Sequence, residues 1–286
     1  MVASKTAKAG WSAVGSVVTG ASHIRNDQEC QDAVYFRNEK NHVIACVADG
    51  HGSKSCPYSA EGAKAAAELT YTILKALLPN IKVEKDIRLP KMLEVEWKSL
   101  VRELHTRLKR EPEAEPLTLD EVGATVDTFP YILYGTTLLA VAVTQEFIFA
   151  LQIGDGNILL IDENGTTPIL AVAENIGEDT ESLCLKDAWT HIRTHMIPFK
   201  NDSPAMLLLA TDGYANSFSD SSGFYKAGTD FFQLWQEEGL PYIGKSLPGW
   251  LRKSSDKGSG DDIAMAILAF EPKTEGKKTE KGDSIE

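Results

Sequence analysis

The chain has 286 residues, 41 acidic against 29 basic, for a formal net charge of −12; 43% of its residues are hydrophobic and 24% charged. That is ample chain for one large buried core, and the recurrence of apolar runs excludes disorder for its bulk. The acidic balance argues against a nucleic-acid binder, and no apolar run approaches the length that crosses a bilayer.

Residues 1–10 carry lysines but are not followed by the apolar stretch of a signal peptide, so they read as a flexible leader. Residues 11–18 and 33–36 read as strands. Residues 42–48 (HVIACVA) form an unbroken, β-branched apolar run, a strand buried on both faces, which stops at Asp49-Gly50-His51-Gly52-Ser53. The alanine-rich stretch 58–78 is a long helix. Residues 93–108 are a second, with Leu93, Trp97, Leu100, Val101, Leu104 and Leu108 on one stripe. A proline- and acid-rich loop then runs to about residue 128.

Four apolar segments follow at short intervals, 132–143, 147–153, 158–161 and 169–172. The gaps cannot hold crossover helices, which predicts an antiparallel meander. A strand at 205–210, a helix at 224–238, a helix at 242–253 broken or kinked by Pro248, and a final strand at 263–270 complete the core. Residues 272–286 are charged and read as a disordered tail. There are no internal repeats, so the expectation is a single domain over residues 11–271. The four cysteines, Cys30, Cys46, Cys56 and Cys184, lack the spacing of a disulfide framework or a zinc site, which points to the reducing cytoplasm.

The informative pattern is a repeated ending. Three apolar strands each run into an aspartate-glycine pair: Asp49-Gly50, Asp155-Gly156 and Asp212-Gly213. A mirrored corner, Gly260-Asp261-Asp262, leads into the last strand, and Asp32 precedes the strand at 33–36. Taken singly, an Asp-Gly pair is most often a β-turn. Repeated at the ends of neighbouring buried strands, such corners gather carboxylates at one edge, where they repel unless a cation sits among them. Oxygen donors without His or Cys select hard ions, Mg²⁺ or Mn²⁺. The set points to a binuclear metal hydrolase of phosphate esters.

Five motifs then stand in order: Val47-Ala48-Asp49-Gly50-His51-Gly52, Tyr134-Gly135-Thr136-Thr137, Gln152-Ile153-Gly154-Asp155-Gly156, Leu209-Ala210-Thr211-Asp212-Gly213 and Gly260-Asp261-Asp262-Ile263-Ala264. Together they resemble the PP2C-like (PPM) serine/threonine protein phosphatases. The opening Gly20-Ala21-Ser22-His23 followed by Cys30-Gln31-Asp32 is similar to a bacterial branch of that family. The resemblance spans residues 11–271. It implies an α+β fold, a four-layer α-β-β-α sandwich of two antiparallel sheets with helices outside. It also implies two Mn²⁺ or Mg²⁺ ions and direct attack on phosphorus by a hydroxide bridging them.

By the same resemblance, Asp49 bridges the two metals and the Gly50 carbonyl binds the second. Asp212 and Asp261 complete the first metal's ligands, with Asp262 behind them or as an alternative. Asp32 matches the last acid of the family's Glu-Asp pair, whose first member is here the neutral Gln31. Asp155 matches a ligand of a third, looser metal; a hairpin turn explains it as well, and Asn216 stands where that site often has an acid. His51 corresponds to a histidine that protonates the leaving oxygen. Arg25 is the candidate for gripping phosphate, with His23 as its competitor, because Arg25 lies seven residues before Asp32, farther than the family spacing. Gly135-Thr136-Thr137 reads as close packing rather than chemistry. The implied partners are phosphorylated proteins and a Ser/Thr kinase. Gln31, Asn216 and the displaced Arg25 also suit a weakly catalytic regulatory or phosphoprotein-binding module, and the fold also suits a phosphatase of small molecules.

Overall fold

Ten strands among the described residues fall into two antiparallel sheets of five. The first runs in the order β1 (Gly10–Val18), β10 (Ile263–Glu271), β9 (Ala205–Ala210), β6 (Asn157–Asp162), β7 (Gly165–Pro168). The second runs β2 (Asp32–Asn38), β3 (Val43–Asp49), β4 (Leu138–Val143), β5 (Phe147–Ile153), β8 (Arg193–Pro198). This is a computed structural model, and it describes residues 10–80, 88–111, 117–170, 181–200 and 202–272. All but the last residue of the expected leader, and all but the first of the expected tail, lie outside them.

The sheets pack face to face, and helices cover their outer faces. Within β3 the alternation is explicit. Ile44, Cys46 and Ala48 join the core under α2 (Ser59–Leu77) and α3 (Arg88–Leu108), while Val43, Ala45 and Val47 join the core between the sheets. That is why this strand reads as a continuous apolar run: neither face meets water. Each such Val or Ile contributes about 1.5–3 kcal/mol relative to exposure. On α2 the small Ala63, Ala66 and Ala67 are fully buried and let the helix lie close to its sheet. On the other side α5 (Ser221–Glu238) and α6 (Leu240–Lys257) bring Phe224, Phe231, Phe232, Trp235, Ile243 and Leu247 onto the first sheet. The four-layer sandwich is therefore the observed architecture.

Three expectations need correction. The meander does not hold. β4 and β5 pair, but the chain then crosses to the first sheet, where β6 pairs with β7 and β9. The crossing is made at Gly154-Asp155-Gly156. Gly154 has φ +98°, and a Cβ there would stand 2.6 Å from the Thr137 side chain, so conformation and space both require glycine. The segment 132–143 is strand only from Leu138, because Tyr131–Tyr134 forms a 3₁₀ turn. The strand expected at 169–172 is not found at its described residues 169–170: β7 lies just before it, at Gly165–Pro168, and residues 171–172 lie outside the described residues.

Three helices also extend past their expected bounds, α5 by starting at Ser221 rather than residue 224. α3 begins at Arg88, with Pro90 in its first turn, where a missing N–H is harmless. α6 continues through Pro248, held against its sheet by the fully buried Ile243, Leu247 and Leu251. The edge strand β8 was not anticipated; its Arg-Thr-His-Met-Ile-Pro sequence is half-buried and has no apolar alternation.

Candidate metal centre

The strand register sets the site. Asp32 and Asp49 stand directly opposite each other where β2 begins and β3 ends. In the other sheet, β9 runs through Thr211 into Asp212, which opens the short α4 (Asp212–Ala215), and Asp261-Asp262 precedes β10. Thr211 joins those two chains: its N–H donates to the Ala264 carbonyl (3.0 Å), and its Oγ1 accepts from the Ala264 N–H (2.9 Å). At Gly213 a Cβ would lie 2.1 Å from the Asp262 carbonyl oxygen, so only glycine lets the two acidic corners meet. Both sheets therefore deliver carboxylates to one edge of the sandwich.

Between them lies a cavity of about 250 Å³ lined by Asp32, Asp49, Asp155, Asp212, Asp261 and Asp262, with His23, Gln31, Gly50 and His51. Every site residue anticipated from the sequence is present except Arg25, which is exposed at the end of α1 (Ala21–Arg25) and does not line the cavity. His23, its competitor, does. Asp155 sits in the crossing between sheets, so the hairpin explanation for it is removed.

The carboxylates differ in how they are held. Asp262 is 3% exposed, and both its oxygens are engaged. Oδ1 accepts from the Gly20 N–H (2.6 Å) and Oδ2 from the Gln31 N–H (2.7 Å), with His23 Nδ1 3.0 Å from Oδ2. Asp262 thus ties the segment before β2 to the edge of the first sheet. Asp32 accepts from the Thr211 hydroxyl at 2.7 Å. The Asp212 carboxylate accepts from the Asn216 amide at 2.9 Å. Asp49 is fixed through its backbone: its carbonyl accepts from Thr137 N–H (2.8 Å) and Thr136 Oγ1 (2.9 Å), and its N–H donates to Thr137 Oγ1 (3.2 Å). His51 is set by its own N–H to the Gly135 carbonyl (3.2 Å), and a Cβ at Gly135 would stand 2.6 Å from the ring's Cδ2. Gly135, Thr136 and Thr137 therefore pack, as expected, but they also aim Asp49 and His51.

Burial and crowding push Asp32, Asp49 and Asp212 toward their neutral forms. Asp32 is held well above the ordinary carboxylate range by burial, opposed by the Thr211 hydrogen bond and reinforced by Asp262, Asp261 and Asp212. Asp49 is raised likewise, by burial first and then by Asp32 and Asp212. Asp212 is raised by burial, against its hydrogen bond with Asp49. Among the described residues, no three His, Cys, Asp or Glu side chains stand closed in ion-holding geometry. They surround an open cavity instead, and its all-oxygen, mutually repelling donors fit hard divalent cations.

A family search matches residues 19–252 to protein phosphatase 2C. The chain belongs to that family. It is accordingly a phosphoprotein phosphatase of a metal-dependent type. A search of curated protein sequences returns no match. Among solved structures, the photosystem II phosphatase PBCP superposes with a TM-score of 0.59 at 12% identity, over 92% of this chain and 99% of that one. A bacterial serine phosphatase gives 0.55 at 15% identity, with the same coverage. The S. agalactiae serine/threonine phosphatase gives 0.53 at 14%, over 91% and 99%. At such identities these likenesses establish the fold of this phosphatase. Among its described residues, no helix is long and apolar enough to cross a membrane.

Proposed function

We propose that the protein hydrolyses phosphoserine and phosphothreonine in protein substrates, with two Mn²⁺ or Mg²⁺ ions held by Asp32, Asp49, Asp212 and Asp261 and by the Gly50 carbonyl. The observation that carries this reading is the convergence of acids from both sheets on one cavity, with Asp32, Asp49 and Asp212 all pushed toward protonation. Ions bound there supply positive charge to the phosphoryl oxygens and acidify water. Asp155, at the crossing between sheets, is the donor left for a looser third ion.

The chain's own groups do the rest. His51, on a loop beside Asp49 and Gly50, gives its proton to the departing seryl or threonyl oxygen. His23, set against Asp262, offers its other ring nitrogen to a phosphate oxygen. Gln31 lines the cavity as a neutral amide, which lowers the negative charge around the second ion. The unit that acts is residues 11–271, the phosphate is written by a Ser/Thr kinase, and the setting is the cytoplasm, in keeping with four unpaired cysteines.

The test is hydrolysis of a phosphothreonine peptide by metal-stripped protein titrated with Mn²⁺ and then Mg²⁺, with Asp212→Asn as the blank. Metal-dependent turnover that is absent from the blank is expected. Metal binding by calorimetry without turnover would replace this reading with that of a regulatory module.

A further inference from the structure

The second sheet is open at the end nearest the metal centre. β2 is its first strand: it pairs with β3 on one side, and among the described residues no strand pairs with the other. An unpaired edge presents a row of backbone N–H and C=O groups, a template for another extended chain. This edge is also the floor of a groove. A cavity of about 400 Å³ is lined by residues 32–35 of β2, with Val17 of β1 on one wall and Glu61, Lys64 and Glu68 of α2 on the other. Val17 is 39% exposed.

Two features identify the occupant. The groove adjoins the metal centre, because Asp32 lines both cavities. A chain laid along β2 therefore passes beside the carboxylates. Its charge is one-sided: Glu29, Glu61 and Glu68 line it against Lys64 alone. A basic chain is attracted and an acidic one repelled.

We propose that β2 is the docking strand for the substrate polypeptide: an extended segment carrying Lys or Arg beside its phosphorylated residue pairs with the edge at residues 32–35 and delivers the phosphate to the carboxylate cavity. The inference rests on the phosphatase reading and adds the substrate class, a basic stretch in extended conformation. Backbone pairing gives affinity irrespective of sequence, and the glutamates select basic flanks.

The closing experiment separates the two readings. Hydrolysis of p-nitrophenyl phosphate by the Mn²⁺-loaded full chain reads the metal centre alone. Fluorescence anisotropy with labelled, unphosphorylated twelve-residue peptides reads the groove alone. An Arg-rich peptide should bind at least 10-fold tighter than its Glu-substituted counterpart. The double substitution Glu61→Lys, Glu68→Lys should reverse that preference. Methylating alternate backbone nitrogens of the Arg-rich peptide removes only the hydrogen bonds of one strand face, and this probe leaves the protein's folding untouched. One methylation phase should weaken binding about 10-fold and the other less than 2-fold. Equal effects of the two phases, or no charge preference, overturn the docking strand even if p-nitrophenyl phosphate is turned over. Self-association through this edge that excludes peptide, seen by sedimentation, also overturns it.

Discussion

The two acidic corners of the site are built from the same kind of residue and are held in different ways. At the β9–β10 corner, Asp262 takes two backbone N–H groups and Asp212 takes the Asn216 amide. At the β2–β3 corner, Asp32 has the Thr211 hydroxyl, while the Asp49 side chain lies among Asp32, Asp212 and Asp261 and is hydrogen-bonded to another acid, Asp212. One acid of the first pair is part of the scaffold. The second pair is where buried charge is least compensated by the protein itself, and so where a cation changes most.

Substitution should expose that contrast. Asp49→Asn is expected to lower peptide turnover by about 10³-fold and, in the metal-free protein, to raise the urea midpoint, because it removes a buried acid crowded by Asp32, Asp212 and Asp261. Asp262→Ala should show the opposite signature. It strands the Gly20 and Gln31 N–H groups and should lower stability by about 2 kcal/mol or more, read in the same urea titration. Equal midpoints for these two variants would erase the distinction between the corners.

His51→Ala should slow a phosphoserine peptide by about 10²-fold but affect an aryl phosphate far less, since that leaving group needs no proton; parallel losses on both substrates would remove its acid role.

The pH dependence sharpens the same point. Asp32 and Asp49 have folded pKa values raised above their ordinary 3.8. The unfolded chain therefore releases these protons first, and the metal-free fold loses stability as pH rises from about 4 through the raised values. Urea midpoints measured across that range should fall less steeply in Asp49→Asn than in the parent protein. The smallest expected effect is that of Gln31→Glu, which should tighten Mn²⁺ binding several-fold in calorimetry while lowering metal-free stability.

The fold was legible where strands are wholly buried or helices strongly amphipathic. Residues 42–48 and 263–270 announce themselves because neither face meets water, and α2 does so by its alanines. β8 was not legible, because an edge strand needs no apolar alternation and its residues are half-buried. The crossing at Gly154-Asp155-Gly156 was misread because a sheet change and a hairpin demand the same small, flexible residues; only pairing tells them apart. Of the site, the acids could be read from their recurrence after apolar runs. The positioning roles of Thr211, Thr136 and Thr137 could not, since a threonine in a motif carries no mark of what it binds, whereas Asp262 behind the ligands was one of two readings left open. Arg25 shows the converse limit: the family resemblance made it a candidate despite its displaced spacing, and the short α1 leaves it exposed outside the cavity.

The distribution of acids between the sheets has a mechanical consequence. Asp32 and Asp49 belong to one sheet, and Asp212 and Asp261 flank strands of the other. An ion shared among them would cross-link two layers otherwise joined by apolar packing, connecting segments and a few hydrogen bonds such as that of Thr211 to Asp32. Loading the site should therefore slow amide exchange deep in β3 and β9, well away from the cavity. Stripping it should let the layers slip and part earlier on heating, so that the protein melts in a broader, less cooperative transition.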